Sequence, residues 1–109
     1  MKTKYKGYRV ERKIKQNLER EGWIVVRAGG SFGKADLVCI KKGVCVFFQV
    51  KSTRKNKIYY KGYMGKMLEG FPFYVVVDFG YGDIEVFEPA NVLEKGKGEN
   101  FEEFIRKFC

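Results

Sequence analysis

The stretch VCVFFQVKS, residues 44–52, constrains the fold most strongly. Its first five residues are apolar or cysteine, which predicts a buried strand. Gln49 and Lys51 follow two residues apart and therefore lie on the same face of that strand. A core strand that ends with an amide and an ammonium group side by side needs a polar partner opposite them. We therefore take this strand end as the first candidate site.

The other periodic segments predict an α/β protein with a central mixed five-stranded sheet flanked by helices, in the order α-β-β-β-α-β-β-α. A chain of 109 residues is expected to form a single domain, residues 1–109. The expected elements are a helix from about Lys4 or Tyr8 to Glu21, strands at 23–28, 35–40 and 45–51, a short helix at about 60–69, strands at 71–79 and 83–89, and a helix from Asn100.

The two terminal helices have the clearest sequence patterns. Val10, Ile14 and Leu18 form an apolar stripe on the first helix, which Gly22 is expected to stop. Asn100 is a candidate N-cap for the last helix, with Glu103 three residues on. The apolar residues of that helix, which favour burial in the core or in a subunit interface, are Phe101, Phe104, Ile105 and Phe108.

The register of the second and third strands decides which side chains meet. A four-residue turn, 41–44, pairs Ile40 with Cys45 and places Asp36 opposite Gln49, on the face that also carries Lys51. A three-residue turn, 41–43, shifts the pairing by one and separates these side chains. The four-residue turn also puts Cys39 and Cys45 on opposite faces, which excludes a disulfide between them.

With the four-residue turn, the pattern is that of a metal-dependent phosphodiesterase. Asp36 supplies hard oxygen ligands for Mg²⁺, and Lys51 beside the metal orients a water and offsets charge on the phosphoryl oxygens. Glu11 lies at the edge of the apolar stripe of the first helix, where it can add an oxygen to the same cluster. The chain contains no histidine, so a histidine general base is excluded.

Charge and composition point to a polyanionic partner. The formal charge is +9, concentrated in the first fifteen residues and in Lys51, Arg54, Lys55 and Lys57, which favours nucleic acid. Tyrosines at 59, 60 and 63 lie beside the second cluster, where they suit either nucleic-acid contact or the core. The N-terminus has no apolar stretch typical of a signal, and no run approaches a membrane span, so we expect a soluble, intracellular protein without a membrane partner.

Three segments, KGYRVERKI (6–14), WIVVRAGGSFGKADLV (23–38) and FFQVKS (47–52), resemble the archaeal Holliday junction resolvases of the PD-(D/E)xK nuclease superfamily. The resemblance implies a restriction-endonuclease-like fold and a nucleoid-associated, homodimeric endonuclease of DNA recombination and repair. It implies that this enzyme resolves four-way DNA junctions with Mg²⁺, or Mn²⁺ as a substitute. A sliding-clamp contact is an analogy only.

The resemblance also assigns residue roles. Glu11, Asp36 and Gln49 match the metal positions, and Lys51 matches the motif lysine. Ser31 matches an active-site serine of the glycine loop, so the expected catalytic residues are Glu11, Ser31, Asp36 and Lys51. The side chains expected to contact DNA are Arg9, Arg12, Arg27, Ser31, Lys34, Arg54, Lys55 and Lys57.

Gln49 departs from the family pattern, which usually has a carboxylate at this position. An amide oxygen can coordinate Mg²⁺ but brings no negative charge, so metal affinity should fall. Two other functions therefore stay open. One is a non-catalytic junction-binding protein on the same fold, and the other is a nuclease for duplex ends, nicks or mismatches.

Overall fold

The computed structural model describes residues 2–28 and 34–107, with side chains from Arg9 onward. Helix α1 spans Lys2–Arg20 and helix α2 spans Phe101–Lys107. The strands between them are β1 (Ile24–Arg27), β2 (Leu37–Lys41), β3 (Val44–Ser52), β4 (Lys57–Tyr59), β5 (Met67–Leu68), β6 (Phe71–Asp78), β7 (Ile84–Phe87), β8 (Val92–Glu94) and β9 (Glu99–Asn100). No helix in these ranges is long and apolar enough to cross a membrane.

The main sheet is mixed, as predicted, but larger than predicted. Its strand order is β1-β2-β3-β6-β7-β9, with β5 added at β6, which makes seven strands instead of five. Strands β3 and β6 run parallel, whereas the other pairs of this sheet run antiparallel. Strands β4 and β8 form a separate two-stranded sheet. The predicted order α-β-β-β-α-β-β-α is therefore wrong.

The predicted helix at about 60–69 is absent, and side-chain packing explains why. The Tyr60 ring occupies the space where a Cβ on Gly62 would lie, and the Tyr63 ring does the same at Gly65. The Tyr60 hydroxyl also donates a hydrogen bond to the Tyr63 carbonyl at 2.8 Å. Glycines destabilise helices, and here they let two tyrosine rings fold back on the chain.

Both helices pack on one face of the main sheet. The stripe Val10, Ile14 and Leu18 is buried there together with Phe101 and Phe104 of α2. The core alternative for the last helix is thus confirmed for its described residues, while Phe108 lies outside them. The opposite face carries the second apolar cluster, which includes residues of the β4–β8 sheet and of the segment between β4 and β6.

The predicted N-cap of α2 and the predicted C-terminal stop of α1 are both confirmed. The Glu103 amide donates to Asn100 Oδ1 at 3.0 Å, so Asn100 caps α2. At the other helix, Gly22 has φ +92°, and the Trp23 amide donates to the Leu18 carbonyl at 3.0 Å. A glycine in the left-handed region is the usual way to end a helix and satisfy its last carbonyls.

The register of the β2–β3 hairpin is the one that the functional prediction required. Ile40 pairs with Cys45, as predicted, but the ladder continues one step further to Lys41 and Val44. The turn therefore has two residues, and the predicted four-residue turn 41–44 is wrong in length although it gives the same register. Residues 42 and 43 form the tip with φ of 50° and 84°, the left-handed conformation of a tight hairpin turn. Cys39 faces the helices and Cys45 the opposite side, and both are free thiols.

Candidate active site

Asp36 is held at the point where the β1–β2–β3 ladder ends. Its amide donates to the Phe48 carbonyl at 2.8 Å, and its carbonyl accepts from the Ala28 amide at 2.9 Å. Its carboxylate Oδ2 then accepts the Val50 amide at 2.8 Å. The carboxylate thus accepts a strand amide that a backbone carbonyl would otherwise accept, and this hydrogen bond fixes the orientation of the carboxylate.

Gln49 and Glu11 complete a cluster around this carboxylate. Gln49 Nε2 donates to Asp36 Oδ2 at 2.9 Å, which leaves the amide oxygen of Gln49 outside that bond. Glu11, on α1, reaches the same sheet end, where its Oε1 lies 3.3 Å from Arg27 Nε. Burial and the negative charge of Asp36 raise the pKa of Glu11, while Arg27 opposes the rise. The structure thus brings Glu11, Arg27, Asp36 and Gln49 together.

Lys51 and Tyr60 lie near this cluster on the sheet. Lys51 is half-buried, two residues beyond Gln49 on the same face, and pairs with Val77 of β6 through the backbone. Tyr60 is buried, and its burial together with the charge of Asp36 raises its pKa to about 12. Tyr60 is therefore a core residue beside the candidate site. From the sequence alone, it suited either the core or a nucleic-acid contact.

The residues predicted to contact DNA have mixed positions. Arg9 and Arg12 are exposed on α1, and Lys34 is exposed with its Nζ 5.0 Å from the centre of the Tyr63 ring. Arg54 and Lys55 are exposed directly after β3. In contrast, Lys57 belongs to the small β4–β8 sheet, with its Nζ 5.4 Å from the centre of the Tyr59 ring. Ser31 lies outside the described residues.

A second polar group at this sheet end was not predicted from sequence. Asp78 ends β6 opposite Ser52, and its Oδ2 lies 3.8 Å from Lys13 Nζ on α1. Its Oδ1 accepts the Gly80 amide at 2.8 Å. A cleft of about 190 Å³ opens beside Asp78, and its lining includes residues that directly follow Lys51 in the chain. The sequence signal was an aspartate at a strand end, directly before a glycine-rich turn.

The donor chemistry of the cluster fits a hard divalent cation. Two carboxylates and one amide oxygen are the ligand types that Mg²⁺ takes, and a cation beside the carboxylates would offset both the burial and the Asp36 charge that raise the pKa of Glu11. Within the ranges that the structure describes, no three acidic, histidine or cysteine side chains form a metal group. Beside the two carboxylates the cluster has the amide of Gln49, whose oxygen would be the third ligand.

Comparison with solved structures identifies the fold. The structure superposes on a Holliday junction resolvase, Hjc of Archaeoglobus fulgidus, with a TM-score of 0.74 over 95% of this chain and 98% of that one. The sequences are 19% identical, so this likeness concerns the fold alone. The fold is thus that of a junction resolvase.

Sequence comparison gives the family. A family model described as archaeal Holliday junction resolvase (hjc) matches residues 2–102. The crossover junction endodeoxyribonuclease Hjc of Methanocaldococcus jannaschii is 43% identical over 60 residues, which is 54% of this chain and 44% of that protein. The chain belongs to the archaeal Holliday junction resolvase family, as the sequence resemblance indicated, and a nuclease family of this kind implies a metal cofactor.

The raised pKa of Glu11 predicts a pH-dependent cost to stability. The folded chain holds the Glu11 proton more tightly than the unfolded chain does, so ionisation destabilises the fold as pH rises above the ordinary value of 4.5. We expect metal-free Glu11→Gln to have a higher Tm than the wild type at pH 7–8, and the difference to vanish below about pH 4. Thermal unfolding across pH tests this, with exposed Glu102→Gln on α2 as a charge control. A Gln variant that is less stable at pH 7–8 would contradict it.

Proposed function

We propose that this chain is a metal-dependent endonuclease that resolves four-way DNA junctions by phosphodiester hydrolysis, with residues 1–109 acting as one nuclease domain. The observation that carries the proposal is the convergence of Asp36, Gln49 and Glu11 at the end of the strand that bears Lys51. Membership in the resolvase family supports the substrate, and the shape of the junction is the feature that a surface of phosphate contacts would read.

Each residue of the cluster has a separate task in this proposal. Glu11, Asp36 and Gln49 would hold Mg²⁺, or Mn²⁺ in its place, through two carboxylates and one amide oxygen. When bound, the metal polarises the scissile phosphate and lowers the pKa of a coordinated water. Arg27 holds the Glu11 carboxylate through its ion pair at 3.3 Å. Lys51 is proposed to orient the attacking water and to offset charge on the phosphate, with Ser31 assisting.

The DNA would approach this sheet end over its exposed cations. These proposed contacts are phosphate contacts, so affinity should fall steeply with salt. The residues proposed for them are Arg9, Arg12, Arg27, Ser31, Lys34, Arg54, Lys55 and Lys57. Among these, Arg54 has the strongest structural support, because it lines the cleft beside Asp78.

The hydrogen bond from Gln49 to Asp36 favours a second candidate function. Gln49 neutralises no metal charge and ties up one oxygen of Asp36, so a non-catalytic junction-binding protein is the alternative. In that case the cluster would serve as a polar support for the surface that binds DNA. The two candidates differ in whether the native chain cuts a junction at all.

The direct test of the enzyme is Asp36→Asn. Asparagine keeps an oxygen for the Val50 amide, so the fold should persist, but the metal site loses a carboxylate. We expect the native chain to cut a synthetic four-way junction with Mg²⁺ or Mn²⁺, and the variant to lose cutting by at least about 100-fold while still binding the junction. A linear duplex of the same sequence serves as competitor. An uncut junction with both metals would favour the binding protein, and equal competition by the duplex would favour another nucleic-acid substrate.

Gln49→Glu tests the role of the amide. A third carboxylate strengthens attraction for a divalent cation, so the Mg²⁺ concentration for half-maximal cutting should fall by about tenfold. Without metal, repulsion from Asp36 replaces the hydrogen bond, so the same variant should unfold at a lower temperature. Gln49→Ala, which removes both the bond and the metal oxygen, is the matched control. An unchanged metal requirement in Gln49→Glu would exclude position 49 from the metal site.

A homodimer is the assembly that we propose, with an apolar face of the main sheet as its interface. Ile24, Val26 and Ile40 are 65%, 51% and 39% exposed, and the strand register places them on one face of β1 and β2, away from the helices. Across this face lies Phe47, whose ring centre is 6.3 Å from that of exposed Phe71. An exposed apolar face of this kind fits an interface with a second copy of the chain.

The dimer proposal is tested with Val26→Glu. Since β1 is an edge strand and Val26 is half exposed, a charge there should leave the monomer folded but disrupt the interface. Sedimentation at increasing protein concentration should show a dimer for the native chain and a dissociation constant at least about 100-fold weaker for the variant. Val92→Glu, on β8, introduces the same charge at another exposed valine. Equal association of all three proteins would refute this interface.

A further inference from the structure

Tyr81 is an aromatic side chain whose position neither the fold nor the cluster explains. It is fully exposed at the tip of the turn between β6 and β7, between Gly80 and Gly82. Its φ is +55°, a left-handed conformation that is unfavourable for a non-glycine residue. Lys42 and Glu69 also have positive φ, but they place ordinary polar side chains in solvent. A strained, solvent-exposed ring adds nothing to the core, so a contact outside the monomer is its natural use.

The turn that carries Tyr81 is firmly held. The Phe79 amide donates to the Asp83 carbonyl at 2.8 Å, and the Asp83 amide donates to the Gly80 carbonyl at 3.0 Å. Asp78 accepts the Gly80 amide and approaches Lys13 of α1. Buried Phe79 anchors the base of the turn. The ring is therefore presented by a preorganised support and loses little freedom on contact with a ligand.

The location of Tyr81 relates it to the DNA path. Tyr81 borders the cleft beside Asp78 together with Ser52, Thr53 and Arg54, which directly follow Lys51. Because β3 and β6 are parallel, their carboxyl ends, and with them Lys51 and this turn, lie at the same end of the sheet. An aromatic residue and a guanidinium group that line the same cleft match the two parts of a nucleotide, since the base stacks and the phosphate pairs.

We infer that Tyr81 stacks on an unstacked base at the branch point of the junction while Arg54 contacts the adjoining phosphate. This inference rests on the proposed function and adds to it a residue that distinguishes junctions from duplex. A continuous duplex keeps its bases stacked inside, whereas a branch point can expose the face of a base to an aromatic side chain. Tyr81 therefore contributes to affinity for the junction and not to affinity for a linear duplex.

The test measures binding of a fluorescent four-way junction and a linear duplex at one fixed salt concentration, all in the Asp36→Asn background. Tyr81→Asn removes the ring while asparagine tolerates the positive φ, and Tyr81→Phe keeps the ring. We expect Tyr81→Asn to lose about tenfold in junction affinity with duplex affinity unchanged, and Tyr81→Phe to stay within about twofold of Tyr81.

Each other result refutes the inference. It is wrong if Tyr81→Asn binds the junction as well as Tyr81 does, or loses affinity for junction and duplex alike. It is also wrong if Tyr81→Phe loses as much as Tyr81→Asn, because the hydroxyl would then be the contact. A Tyr81 protein without preference for the junction would refute the proposed function, and the inference with it, before the variants are compared.

Discussion

The candidate site depends on one interaction, the acceptance of the Val50 amide by the Asp36 carboxylate at 2.8 Å. That bond exists only because the β2–β3 hairpin pairs Leu37 with Phe48, which brings Asp36 level with Gln49. A register shift of one residue would turn Asp36 to the helix face and leave Val50 without its acceptor. The tight turn at residues 42 and 43, with both φ angles positive, fixes this register far from the site itself. The turn at one end of the hairpin thus determines which side chains meet at the other end.

The cluster combines like charges and one neutral ligand in a partly buried position. Burial and the negative charge of Asp36 both raise the pKa of Glu11, and Arg27 offsets only part of that rise. Gln49 limits the electrostatic repulsion in the cluster, because its amide donates a hydrogen bond to Asp36 where a carboxylate would add a third negative charge. In the proposed metal site, the amide would favour the metal-free fold at the expense of metal affinity. A trade of this kind between binding strength and stability is usual at functional sites.

Sequence patterns predicted the parts of the fold that local rules govern. The stripe Val10, Ile14 and Leu18 and the Asn100 cap follow from periodicity and capping chemistry, and the structure contains both. The hairpin register was chosen between two possible turns because only one of them places Asp36 opposite Gln49, and the structure has that register. The segment after β3 was misread as a helix, because its tyrosines pack on glycines two residues away instead of following a helical period. The pairing of β4 with β8 joins residues more than thirty positions apart and has no local signal. Buried Glu85, whose carboxylate accepts the amides of Gly96 and Gly98, has no local sequence signal either.

The parallel pairing of β3 and β6 brings the proposed active site and the proposed DNA contacts to one end of this small sheet. Antiparallel neighbours alternate in direction, so consecutive loops of a meander fall at opposite ends. The long connection after β3 instead returns β6 to the same starting end, and Ser52 then lies beside Asp78. The strand that bears Gln49 and Lys51 therefore ends next to the turn that presents Tyr81. Meanwhile α1 crosses this end with Glu11 directed to Arg27 and Lys13 to Asp78. One helix thus ties together a charged cluster and a neighbouring cleft, so a ligand that spans both contacts a single rigid support.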